Sequence, residues 1–182
     1  MAVDNPAPPP LEPNQFFLKT EPLPGVAASR FGGLYLRQHS AANPAVVLTR
    51  EPPKFLRANV ADAEARVGIA FKSWLPRHAG REWGLVLLSS GVSGPDTRLW
   101  ERVEIAEDGN DRTVRFERVT DRDADEIVAT GDELVGGQEW AGWMVCEWLL
   151  GHPQLFWITD RLGESEIPHF CERVRIVKDQ TV

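Results

Sequence analysis

Glu147 and Glu101 are the side chains best placed to do chemistry. In Trp143-Met144-Val145-Cys146-Glu147-Trp148-Leu149, an extended chain puts Glu147 on one face with Trp143, Val145 and Leu149. A carboxylate among apolar neighbours must find a partner or take a raised pKa, and a raised pKa suits a general acid or base. Glu101 stands in the same relation to Leu99 and Val103. Pairing with an arginine is the structural alternative for both. His152 sits in a turn, Gly151-His152-Pro153-Gln154, where capping or solvent exposure competes with a role in a site. A nucleophile pair of His169 and Cys171 has no supporting pattern.

Seven tryptophans against one tyrosine suggest aromatic walls, in a core or around a ligand. Trp83, Trp100, Trp143, Trp148 and Trp157, with Phe156 and His152, are the residues expected to line such a pocket. Two cysteines and four histidines lack metal-site spacing, so no metal is expected. Asp121, Asp123 and Asp125 alternate as in a calcium loop, but no glycine follows at the sixth position. No hydrolase elbow, zincin helix, phosphate loop or dinucleotide fingerprint occurs, so no cofactor is expected.

The segment that must position these groups is Gly142 to Ile158, GWMVCEWLLGHPQLFWI. Gly151 and Pro153 cut any helix there, and each apolar run has strand length. A β-hairpin apolar on both faces has to lie inside a packed layer. Residues 1–14 carry five prolines and read as a disordered tail, leaving 15–182 as a single β-domain. Strands are expected at Gln15–Thr20, Gly33–Arg37, Ala45–Thr49, Phe55–Val60, Gly68–Lys72, Trp83–Leu88, Leu99–Ile105, Arg112–Val119 and Glu172–Val177. Ala61–Val67 is the one short helix candidate, and Pro76–Gly80 with Arg81 is a basic loop. The fold class is therefore all-β, an antiparallel barrel or two-sheet sandwich of about ten strands with at most one short helix.

A chain of 182 residues buries a core without metals or disulfides. A net charge of −7 disfavours nucleic acid and anionic membrane surfaces as partners. No apolar run reaches the ~18 residues of a membrane span, and the first residues lack the features of a secretory signal. The expectation is a soluble cytoplasmic protein in which Cys146 and Cys171 are free, one disulfide being the alternative.

Phe16-Phe17-Leu18-Lys19-Thr20, Leu34-Tyr35, Val47-Leu48-Thr49, Trp83-Gly84-Leu85 and above all Gly142–Trp148 with Gly151–Trp157 resemble a group of small fungal β-rich proteins of unknown function. The hairpin is similar to that group's GWLVCDW and G-x-PQLFW signature, and the likeness runs from about Phe16 to Ile176. The chain also resembles hetero-Diels–Alderases of tropolone–sesquiterpenoid pathways in fungal secondary metabolism. That likeness implies a cofactor-free biosynthetic cyclase that joins a quinone methide to a macrocyclic terpene, and it assigns no catalytic residue. Such a reaction needs two apolar partners in register and a donor at a carbonyl oxygen. A non-enzymatic protein- or glycan-binding β-module is the other expectation from the same residues.

Overall fold

The computed structural model describes residues 9–54, 56–63, 66–73, 75, 78, 80–88, 99–107, 114–119, 124–129, 139–147, 151–160 and 162–180. Among the described residues twelve strands follow one another. They are β1 (Gln15–Pro22), β2 (Tyr35–Ser40), β3 (Asn43–Thr49), β4 (Leu56–Ala63), β5 (Arg66–Ser73) and β6 (Glu82–Leu87). The second half supplies β7 (Trp100–Glu107), β8 (Val114–Val119), β9 (Ala124–Ala129), β10 (Trp140–Glu147), β11 (Pro153–Thr159) and β12 (Cys171–Asp179).

Every pairing is antiparallel, and a ring of nine strands closes on itself in the order β1-β4-β5-β6-β7-β3-β11-β10-β12, with β12 returning to β1. β2 bonds to both β1 and β3, and the β8–β9 hairpin continues the sheet from β12, with Ile127 of β9 in the main core. Of the two all-β architectures expected, barrel and two-sheet sandwich, the barrel forms. Closure removes the open edges of those nine strands, which would otherwise template aggregation. A single 3-10 turn, Glu164–Glu166, is the helical element named among the described residues. No helix among them is long and apolar enough to cross a membrane.

Of the segment Ala61–Val67, the described residues are not helical, and residues 64 and 65 lie outside the described residues. Ala61–Ala63 end β4 and Arg66–Val67 begin β5, and the two strands pair along their length from Leu56↔Ser73 to Ala63↔Arg66. Alanine and glutamate favour a helix only weakly over two turns, and cross-strand pairing overrides that preference. The acidic region after Glu107 contains β8 and β9, paired from Val114↔Ala129 to Val119↔Ala124. Asp121 and Asp123 lie outside the described residues, as do residues 1–8 of the proline-rich tail. Pro9 and Pro10 are held by Arg57 of β4, whose buried guanidinium donates to both carbonyl oxygens, to Pro10 at 2.9 Å. Burial pulls this guanidinium below its ordinary pKa.

The β10–β11 hairpin explains the packing. Its register sets Trp143 against Trp157, Met144 against Phe156 and Val145 against Leu155. Alternation sends Trp143, Val145, Leu155 and Trp157 into the main core with Phe16, Leu36, Leu48, Leu85 and Ile105. The other face, Met144, Cys146, Phe156 and Ile158, forms a second cluster with Leu162 and Cys171, against which Ile167 and Phe170 pack. Both faces are buried, as a hairpin apolar on both sides requires. Gly142 (φ 139°) stands at the register shift beside Trp140, a conformation that a side chain rarely tolerates.

Cys146 and Cys171 form a disulfide, with 4.0 Å between their Cα atoms. The free-thiol expectation is therefore corrected. The register of β10 on β12 places the two residues directly opposite each other, a juxtaposition that depends on a pairing 25 residues apart in sequence.

On the other side of β12, Asp179 accepts hydrogen bonds from the Tyr35 hydroxyl at 2.8 Å and from Lys19 Nζ at 2.9 Å. Tyr35 is pushed up to about 12, first by burial and then by its hydrogen bond to the Asp179 carboxylate and that group's charge.

Candidate functional site

A cleft of about 1060 Å³ opens beside the sealed core. Its walls come from the β2–β3 hairpin, the segment between β3 and β4, the loop before β6, the end of β7 and the turn before β11. The hairpin wall is fixed by short turn chemistry. Ser40 pairs with Asn43, the Ser40 hydroxyl accepts from Asn43 N–H at 3.1 Å, and Asn43 Oδ1 accepts from Ala45 N–H at 3.2 Å. Gln38 ties the hairpin to β7 by donating to the Ile105 carbonyl at 2.7 Å.

The loop before β6 supplies His78 and Arg81. His78 N–H donates to the Leu75 carbonyl at 2.8 Å and Arg81 N–H to the His78 carbonyl at 3.0 Å, while Gly80 takes φ 79°. The His78 ring stands edge-on to Trp83 with centroids 5.6 Å apart, and its Nδ1 lies 3.0 Å from the Ser73 hydroxyl. Trp83 belongs to the core yet reaches the cleft, and it is 8% exposed. Leu56, Pro44, Pro52 and Pro53 complete an apolar lining.

The polar lining is cationic. Arg37, Arg50, Lys54 and Arg81 face the cleft against Glu51 and Glu107, of which Glu107 is 3.4 Å from Arg81 Nε. Three histidines, His39, His78 and His152, line it as well. No group of three or more metal-ligating side chains among the described residues is gathered closely enough to hold an ion. Arg37 Nη2 lies 3.4 Å from His152 Nε2. Arg37 Nε and His39 Nδ1 are buried and have no hydrogen-bond partner.

Of the residues expected in a pocket, the structure brings Trp83 and His152 to this cleft. Trp143 and Trp157 are fully buried in the core instead. Their indole N–H groups donate to the carbonyls of Ile127 at 2.7 Å and Leu88 at 2.8 Å. Trp100 and Phe156 pack in the second cluster, and Trp148 lies outside the described residues.

The two carboxylates part company. Glu101 is buried, 7% exposed, on β7 opposite Trp157, and it is not without a partner. Glu147 is exposed, which corrects the expectation of burial: it is the last residue of β10, opposite Pro153, where the sheet gives out. Trp157 and Pro153 are four residues apart on β11, so about 13 Å separates the two carboxylate positions along the strand. They do not share a cavity wall. His169 is exposed beside Phe170, and Cys171 is oxidised, so no thiol nucleophile exists there.

His39, Arg37, Arg50 and Lys54 were not expected in a site. Their one sequence signal is the spacing of Arg37 and His39, two residues apart, which regular alternation would put on one face; the register shift between Gln38 and Ser40 interrupts that alternation. Residues 13–179 match the family described as Domain of unknown function (DUF7907), and the chain belongs to it. No curated protein and no solved structure matches the chain.

Proposed function

We propose that this member of a family of unknown function is a small-molecule-binding β-barrel that takes a largely apolar ligand into the cleft beside Trp83. The observation that carries the reading is the cleft itself. Its volume of about 1060 Å³ is at the upper end of ligand pockets, and an apolar wall faces a few convergent polar groups. The tryptophan contribution comes from Trp83, because Trp143 and Trp157 are spent on the core.

The finer reading is a cofactor-free cyclase that joins a quinone methide to a macrocyclic terpene. What supports it is room for two apolar partners beside N–H donors of Arg37 and the histidines, which suit a carbonyl oxygen gaining negative charge. The binding-module alternative calls for exposed aromatics on a patch. Among the described residues the one exposed large hydrophobic is Val26, which favours the cleft. The Cys146–Cys171 disulfide favours an oxidising compartment as the place of work over the cytoplasm.

The test is a titration with a neutral apolar dye, phenylnaphthylamine, followed by its own emission and by tryptophan quenching. Saturable binding at one site, weakened in Trp83→Ala, is the expected result. Absence of saturable binding by this dye and by macrocyclic terpenes sinks the proposal. Product formed from a quinone methide precursor and a terpene faster than without protein tests the finer reading, and an unchanged rate removes it.

A further inference from the structure

Resting on the cleft as a ligand site, we infer that its β2 wall is an oxyanion subsite, so that the ligand is an apolar molecule ending in a carboxylate or a similar anionic group. Two observations converge on that wall. Arg37 and His39 of β2 both line the cleft, and each has a buried nitrogen with no partner, Nε of Arg37 and Nδ1 of His39. A buried donor left unpaired is costly, and an acceptor that reaches it recovers that cost. The second observation is charge. In a chain of net charge −7, this lining carries four cations against two acids, and one of those acids already bridges to Arg81.

The geometry selects the ligand chemistry. The Nε and Nη2 atoms of arginine form the side-on fork that meets a carboxylate or phosphate with two parallel hydrogen bonds. In Arg37 the Nε end of that fork is unpartnered, and the Nη2 end makes a long 3.4 Å contact with His152 Nε2. His152 follows Gly151, which holds φ 70° in the turn before β11. An entering oxyanion displaces the His152 ring from Nη2, takes the whole fork and accepts a further hydrogen bond from His39. The apolar body then lies towards Trp83 and Leu56. A neutral apolar molecule fills the same volume and leaves the Arg37 Nε–H and the His39 Nδ1 unpaired.

The experiment compares two dyes that differ by one group: anilinonaphthalene sulfonate and its neutral counterpart phenylnaphthylamine. The wild-type protein should bind the sulfonate at least about tenfold more tightly, a preference of about 1.4 kcal/mol. In Arg37→Gln the ratio of the two affinities should fall towards one, and Arg37→Lys, which keeps charge but loses the fork, should fall between. On wild-type protein alone, octanoate should displace the sulfonate dye at a concentration at least about tenfold lower than octanol does. Inorganic phosphate and acetate, added separately, tell whether phosphate or carboxylate is the preferred head group. Equal affinity for both dyes, with octanoate no better than octanol, overturns the oxyanion subsite and leaves the cleft standing. Failure of both dyes to bind overturns the cleft reading itself.

Discussion

Removing the Cys146–Cys171 bond is the most informative single perturbation of this fold. The two residues close a loop of 25 residues that contains the β10–β11 turn, all of β11 and the segment leading to β12. In the chain-entropy treatment, such a cross-link costs the unfolded chain about 12 cal/mol/K, or about 3.5 kcal/mol at room temperature. A domain of this size is stable by about 5–15 kcal/mol, so the bond holds a quarter to more than half of that margin. Cys146→Ala with Cys171→Ala is the suitable variant, because serine would place an unpaired hydroxyl in the second apolar cluster, where the two residues are 1% and 6% exposed. Guanidinium unfolding followed by tryptophan fluorescence should show a midpoint lowered by the equivalent of about 3.5 kcal/mol, and somewhat more for the lost sulfur packing. The same burial implies that the native protein resists mild reductant until denaturant is added. A loss below about 1 kcal/mol would refute the reasoning, since the cross-link would then not be restraining the unfolded chain. Two alkylatable thiols in freshly folded, unreduced protein would refute it more directly.

Tyr35 is the one tyrosine in the chain, so tyrosinate absorbance reports it alone. Its midpoint should lie near 12 instead of 10.0, and Asp179→Asn should bring it down. Because the folded-state value is raised, the stability this group contributes is fully present below about 10 and is lost as pH rises through about 12; a wild-type midpoint near 10 contradicts the assignment. Thr20→Val removes a buried hydroxyl that donates to the Phe31 carbonyl, lies 3.2 Å from the Leu34 carbonyl and accepts from Leu34 N–H at 3.0 Å, and calorimetry should show a loss of about 1–3 kcal/mol. A neutral effect would mean that the Leu23–Leu34 connection is not anchored there. Trp143→Phe removes the indole donor to the Ile127 carbonyl and should raise amide exchange in β9 at a global cost of about 1–3 kcal/mol. Unchanged exchange in β9 would remove that bond from the account. Arg57→Ala should release Pro9 and Pro10, seen as faster exchange at Gln15, whose N–H now donates to Glu12.

What the sequence made legible is what depends on near neighbours. The alternation in Leu99–Ile105 placed Glu101 inside, and it is inside. The same rule applied to Glu147 failed because burial also depends on where a strand ends, which alternation does not encode. The hairpin at Gly142–Ile158 was legible because an apolar run on both faces has few places to go. The helix over Ala61–Val67 was misread because a two-turn propensity is weaker than a partner strand. The cleft was mostly illegible. It draws side chains from five separated stretches, and only His152, Trp83 and the basic loop around His78 and Arg81 stood out. The disulfide hid for the same reason, since the spacing of two cysteines says nothing of the register that makes them face each other.

The pairing of β1 with β12 sets the order of events during synthesis. Phe17 to Pro22 bond to Asp179 to Val174, so the first strand to leave the ribosome waits for the last. Until then β1 has β4 and β2 to lean on, by two register pairs and one, and most of its length stands as an open edge. Long-range closure of this kind is slow, and an edge so exposed invites pairing with another nascent chain. A shortened product that stops before Cys171 would carry that edge permanently. For such chains the hazard is intermolecular sheet extension, and a chaperone that masks Phe16–Thr20 would act on the segment at risk.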